Sequence, residues 1–329
     1  MNNNSIDRKF CVAPMMGYTT PYARKLYRIL SKKSFLFTEM IPTKTMIYSK
    51  KIQDFITNKN QNPIALQVGG SDLKDLKHCS KIAYELNYDE INLNVGCPSK
   101  AVQKGSFGAC LMQNKILVRE CLESMQINKK IQVSIKCRIG LGDKLNYDFF
   151  EEFIDEIIKS GIKVIYVHAR NAILTGISPK ANRTIPTLDY SFVKKIKTKY
   201  PSLTFILNGG IDSIEKALEI KSDFDGIMVG RLIQNNPFCL KNVDQLFYNT
   251  KEQYDINENT IHEYFDYIKP SIGKESIFRL MSPLLNIFFG IPNSKSFKAV
   301  IHNNMQKQKV DILEKIFLEF IKQNNFLIN

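Results

Sequence analysis

The stretch INLNVGCPSKAVQKGSFGACLM, residues 91–112, opens as a β-branched run, halts on Gly96-Cys97-Pro98 and continues as a glycine-punctuated loop. A structural cysteine is more often buried inside an element. Cys97 instead stands where a strand hands over to a loop, so its thiol can meet a ligand. Thiols of ordinary pKa, about 8.5, are mostly protonated at neutral pH. A cysteine so placed can therefore act as a general acid rather than as a nucleophile. The loop behind it, with Gly105 and Gly108, has the composition of a lid that closes over substrate.

Other short apolar runs end on residues that could bind a ligand. These ends are Pro14-Met15-Met16, Glu39, Gln67, Asn94 with Cys97, Lys136 with Arg138, His168 with Arg170, Asn208-Gly209-Gly210, and Gly230-Arg231. The run interiors read as apolar and the ends as polar, and a polar ring needs a ligand or water to satisfy it. Asn208-Gly209-Gly210 and Gly230-Arg231 close the seventh and eighth runs. Tight glycine turns there expose backbone N–H groups suited to a phosphate. Lys136 and His168 add donors, and the Gln67 amide can pair with a planar heterocycle. Each has a plainer reading alone: an ordinary turn, half of an ion pair, a core histidine, a small buried thiol. Together they point to flavin mononucleotide (FMN) across one end of the fold, with Cys97 facing it. No metal site competes. The four histidines have no HExxH spacing, and the seven cysteines form no CxxC pair, which also argues against a disulfide framework.

The elements that must hold these ends are eight: FCVAPM (10–15), FLFTEM (35–40), IALQVGG (64–70), EINLNVG (90–96), QVSIKCRIG (132–140), VIYVHAR (164–170), TFILNGGI (204–211) and GIMVGR (226–231). Helical patterns such as SDLKDLKHCSKIAYEL and YDFFEEFIDEIIKSG separate them. Continuously apolar runs fit a parallel sheet covered on its outer face. Eight of them alternating with helices predict an α/β fold, a TIM (β/α)8 barrel, with the site at its C-terminal mouth. The runner-up, an open doubly wound sheet, lacks a GxGxxG after the first strand. From about residue 250 only helical periodicity remains, including ESIFRLMSPLLNIFFG, with a break at Gly290-Ile291-Pro292. The expected division is a catalytic barrel over 1–245 and a small all-α bundle over 246–329.

Lys and Arg number 46 against 32 Asp and Glu, a net charge of +14. That excess suits a polyanionic partner, although a genome rich in Lys, Asn and Ile codons would give it too. No run of 18 apolar residues spans a membrane. The opening MNNNSIDRKF lacks the apolar core of a signal peptide, so a cytoplasmic location is expected.

LNVGCPS followed by VQKGSFGACLM, then KCRIG, VHAR, NGGI and MVGR, resembles the tRNA-dihydrouridine synthases in order along nearly the whole chain. HARNAILTGISPKANRTIPTLDY and FFGIPNSKSFK look like the A-type members, whose substrate is uridine at positions 20 and 20a of the tRNA D-loop. The resemblance implies an FMN-containing barrel followed by a helical tRNA-binding domain. It implies that NADPH reduces the flavin, that hydride passes from flavin N5 to uracil C6, and that Cys97 protonates C5. Carried over by position, it implies FMN contacts at Pro14, Met15, Met16, Gln67, Lys136, His168, Asn208, Gly209, Gly210, Gly230 and Arg231. It places tRNA contacts at Asn94, Lys180 and Arg183, and, away from the mouth, at Lys295 and Lys298, where A-type relatives usually carry arginine. MMGYTT stands where Met-Leu-Asp-Trp-Thr is more usual. The expected partners are tRNA and NADPH, with no membrane and no metal, and the expected state is a monomer. The alternative is a flavin barrel acting on a free pyrimidine, as dihydroorotate dehydrogenases do, for which neither the charge nor a basic helical domain is needed.

Overall fold

The computed structural model describes residues 6–127, 131–252, 254–307 and 310–328, so the Asn-rich opening at 1–5 lies outside the described residues. Eight parallel strands form one sheet: β1 (Phe10–Val12), β2 (Leu36–Pro42), β3 (Ile64–Gly69), β4 (Glu90–Val95), β5 (Gln132–Arg138), β6 (Val164–His168), β7 (Thr204–Asn208) and β8 (Gly226–Val229). Neighbours pair in sequence order and β8 pairs β1. Val12 N–H donates to Phe35 C=O at 2.9 Å, and Phe35 N–H to Phe10 C=O at 2.9 Å, which closes the ring beside β2. The expected TIM barrel is therefore the fold, followed by a helical C-terminal region.

The intervening helices start where the sequence supplies caps. Thr20 caps Pro21–Leu30, which has proline in its first turn, and the Asp72 carboxylate accepts from the Lys74 and Asp75 amides to start Leu73–Glu85. Asn146, Asp189 and Ser213 cap three further helices in the same way. Their apolar faces cover the outward strand residues, such as Leu66, Ile91, Leu93, Val167 and Leu207, all fully buried.

Inward residues alternate with these, as the two-residue period of a strand requires. On β1, β2, β6, β7 and β8 they form a second apolar cluster that includes Cys11, Phe37, Tyr166, Ile206 and Met228. The wall formed by β3, β4 and β5 departs from the expected apolar interior. Its inward residues Gln67, Glu90, Asn92, Asn94 and Ser134 are buried and polar. They are tolerated because they bond to one another.

After β8, helix Val243–Tyr248 runs through residue 246 and seals the N-terminal end of the barrel. The Tyr248 hydroxyl donates to Phe10 C=O at 3.0 Å and accepts from Phe10 N–H at 3.1 Å. Helices Glu258–Ile268, Ile277–Met281, Ser294–Gln306 and Val310–Ile328 follow. The expected long helix over ESIFRLMSPLLNIFFG is cut at Pro283, which has no N–H to continue it, and a 3-10 turn Leu284–Asn286 replaces the rest. Phe288, Phe297, Phe317 and Phe320 form the bundle core, with Phe297 and Phe320 ring centroids 4.4 Å apart. Helix Glu258–Ile268 packs on Pro21–Leu30 of the barrel, where the Lys25–Glu263 pair closes at 2.5 Å. Among the described residues no helix is long and apolar enough to cross a membrane.

Candidate active site at the barrel mouth

On the polar wall the inward side chains form a connected chain. Asn94 Nδ2 donates to Gln67 Oε1 at 2.9 Å, and Gln67 Nε2 to Asn92 Oδ1 at 2.8 Å. Asn92 Nδ2 donates to Ser134 Oγ at 2.6 Å, and Ser134 Oγ to Glu90 Oε1 at 2.5 Å. At the far end Glu90 pairs with Arg8, whose Nη2 lies 2.5 Å from Oε2. Burial opposes the Arg8 charge, but Glu90 outweighs it and holds the guanidinium above its ordinary pKa. At the mouth end Asn94 Oδ1 accepts from the Gly96 and Cys97 amides at 3.2 and 3.0 Å.

Next to this chain, from β5 round to β8, the mouth is cationic. Lys136 Nζ donates to Asn208 Oδ1 at 2.9 Å, and Asn208 Nδ2 to Met228 C=O at 2.8 Å. Burial first, and Arg138 second, lower the Lys136 pKa to about 8. Arg138 is buried and clamps three loop carbonyls, Gly96 at 3.1 Å and Asn171 and Asn182 at 2.8 Å. Burial lowers its pKa to about 10. His168 is held neutral, well below its ordinary pKa, by burial and then by Arg138, Lys136, Arg170 and Arg231. Its Nε2 is buried without a hydrogen-bond partner. Among the described residues no carboxylate forms an ion pair with any of these four cations.

The glycine turns sit against this histidine. Gly209 has φ +111°, and a Cβ there would stand 2.5 Å from His168 Cδ2. Only glycine fits both the angle and the space. Tyr190 OH holds Gly209 C=O at 2.6 Å, and Lys216 Nζ holds Gly210 C=O at 2.9 Å, which fixes the turn. Gly230 ends β8 with Met15 packed beside it, and Pro14 and Met15 are partly buried. Met16 is exposed and Arg231 donates to Arg183 C=O at 3.3 Å.

Cys97 is partly exposed, whereas Cys11, Cys79, Cys121 and Cys137 are buried. Burial pushes the Cys79, Cys121 and Cys137 thiols up to about 12. Cys97 lies within electrostatic reach of Lys136 and Arg138. The expected lid is docked. Ala109 N–H donates to Cys97 C=O at 2.9 Å, Phe107 is buried, and Gln103 Nε2 bonds Pro98 and Leu174 carbonyls at 2.9 Å.

Lys180 and Arg183 are exposed in and beside the turn Ala181–Arg183 that follows β6. Lys295 is exposed in helix Ser294–Gln306. Lys298 is less free and less separate than expected. Its Nζ donates to Asn286 Oδ1 at 2.8 Å, and Asn286 Nδ2 reaches Gln234 C=O at 3.0 Å, in the helix Arg231–Asn235. Asn94, expected to contact tRNA, is buried; its Oδ1 accepts from the Gly96 and Cys97 amides and its Nδ2 donates to Gln67.

Sequence reasoning missed Glu90, Asn92, Ser134, Tyr190 and Lys216. The period-two polar pattern Glu90, Asn92, Asn94 inside a buried strand was the available signal for the first three. The mouth thus offers a thiol after β4, cations without a carboxylate partner and an imidazole with an unpartnered Nε2 from β5 round to β8, and glycines directly after β7 and β8. It can hold an anionic ligand with a polar ring and deliver a proton to what lies on it.

The family model described as dihydrouridine synthase (Dus) matches residues 11–325. The tRNA-dihydrouridine(20/20a) synthase of Vibrio cholerae is 40% identical over 91% of this chain and 92% of its own. The proteins of that name from Shewanella oneidensis and Escherichia coli K12 are 37% and 38% identical, over 94% and 92% of this chain and 93% and 88% of theirs. With a match spanning both the barrel and the helical region, the chain belongs to the dihydrouridine synthase family.

Proposed function

We propose that the protein reduces the C5–C6 double bond of uridine in the tRNA D-loop, at positions 20 and 20a, to 5,6-dihydrouridine; its relatives carry the name tRNA-dihydrouridine(20/20a) synthase. The observation that carries the reading is the set of unpaired cations round the unpartnered His168 Nε2, beside a Gly209-Gly210 turn that has no room for a Cβ. These residues fit FMN. Gly209, Gly210, Gly230 and Arg231 would take the phosphate end, while Gln67, Lys136, His168 and Asn208 would hold the ring, with Pro14, Met15 and Met16 along its edge. FMN, reduced by NADPH, would supply the hydride chemistry at this site. Lys136 and His168 bind and orient, and the charge of Lys136 favours an anionic ring. Cys97 Sγ donates a proton to uracil C5, from a turn whose backbone Asn94 and Arg138 both hold. Arg183, Lys180 and Asn94 surround the entry for the nucleotide. The region 246–329 serves as a tRNA-binding domain with Lys295 and Lys298 on its surface, and the protein acts as a cytoplasmic monomer. The +14 charge favours tRNA over a free pyrimidine. Mapping dihydrouridine in tRNA from cells with and without the protein tests the proposal. Unchanged dihydrouridine at the D-loop positions, with a free pyrimidine reduced instead, would overturn it.

A further inference from the structure

The direction of every hydrogen bond in the buried chain from Glu90 to Cys97 is dictated by its ends. At one end the Arg8-paired Glu90 carboxylate can only accept, so Ser134 must give it the hydroxyl proton. Ser134 Oγ must then accept from Asn92 Nδ2, Asn92 Oδ1 from Gln67 Nε2, and Gln67 Oε1 from Asn94 Nδ2. At the other end two backbone N–H groups, of Gly96 and Cys97, can only donate, so Asn94 must present Oδ1 to them. Both ends demand the same direction. Turning over any one amide sets donor against donor on one side and acceptor against acceptor on the other, among buried side chains. The chain crosses three strands, from inside the barrel to the turn that carries Cys97.

We infer that Asn92 and Ser134 are positioning residues for the proton donor: through Gln67 and Asn94 they fix the Cys97 turn and leave Gln67 one unused N–H. Both are fully buried. This rests on the reading of Cys97 as proton donor, but the placement of the turn can be measured without it. A general acid displaced by about 1 Å loses up to about 100-fold in rate, so the effect should fall on the step that consumes tRNA.

The test uses the FMN-loaded enzyme with Ser134→Ala, which cuts the chain, and Asn92→Asp, which puts an acceptor where it needs a donor. Ile206→Val, on the apolar wall, controls for lost stability. In the first two, hydrogen exchange in the peptide spanning 93–99 and iodoacetamide alkylation of Cys97 should each rise several-fold. Oxidation of the pre-reduced enzyme by saturating tRNA should slow about 10- to 100-fold, with KM for tRNA and FMN content unchanged. Ile206→Val should move none of these. Should Asn92→Asp not fold, Ser134→Ala alone decides. Unchanged exchange and alkylation in folded Ser134→Ala, or equal changes in Ile206→Val, would overturn the inference. If the wild-type enzyme reduces no uridine, the proposed function falls, while exchange and alkylation still decide whether the chain fixes the turn.

Discussion

Replacing Lys136 by Met should make the apoprotein more stable and the flavin complex weaker. The folded pKa of Lys136 is lowered from 10.5 to about 8, by burial first and Arg138 second, with Cys137 and Cys97 opposing. A base with a depressed folded pKa costs nothing above its unfolded pKa. As pH falls from 10.5 through about 8, the unfolded chain binds the proton before the folded one, and stability is lost. Below that window the cost of holding the buried ammonium is constant, on the order of 3 kcal/mol. Met has nearly the same shape without the charge. It also loses the bond to Asn208 Oδ1, worth about 1 kcal/mol. The net expectation at neutral pH is apoprotein more stable by about 1–2 kcal/mol. Stability of the wild-type apoprotein should rise with pH across the window from about 8 to 10.5, and the variant should lack that rise. FMN binding has the opposite sign, because an anionic ligand favours the protonated lysine. Wild-type affinity should fall above about pH 8, and the variant should bind more weakly at neutral pH without that limb. Urea unfolding of apoprotein across the window, with FMN fluorescence titrations at the same pH values, measures both. A variant apoprotein less stable than wild type at neutral pH, or one that keeps the alkaline limb of FMN affinity, would contradict the role assigned to the Lys136 charge.

Cys97→Ala should keep FMN and NADPH oxidation while dihydrouridine formation falls by roughly 10²–10⁴, the worth of a positioned general acid; product formed at the wild-type rate would assign the proton to another group. Gly209→Ala forces a Cβ into His168 at a φ of +111° and should cost about 2–3 kcal/mol. It should emerge from purification largely without flavin, as the ratio of visible to ultraviolet absorbance reads. Removing Lys295 and Lys298 together should raise KM for tRNA and flatten the slope of log affinity against log salt by about 0.7–0.9 for each phosphate no longer neutralised. Lys298 should contribute the smaller part because Asn286 already holds it; an unchanged slope over a salt series would remove both from the tRNA surface.

The barrel and the rim of its site were legible in the order of residues alone. The eight apolar runs and the glycines at 209 and 210 are local signals, and local signals survive being read in one dimension. The polar run ends also grouped Gln67, Asn94, Lys136, His168 and Asn208 at one end of the fold. What those residues are free to do was set by packing in three dimensions. Whether Asn94 is buried against Gln67, whether Lys298 is a solvated charge or is tied through Asn286 to the helix after β8, and whether the loop after Cys97 hangs open or docks through Phe107 depend on neighbours far away in sequence. The buried chain from Arg8 to Cys97 is the extreme case. Its partners are up to 82 residues apart, and a polar residue in a strand looks the same in sequence whether it faces solvent or completes a hydrogen-bonded path through a barrel. Burial makes that difference, because only where water is excluded must every donor find its acceptor within the protein.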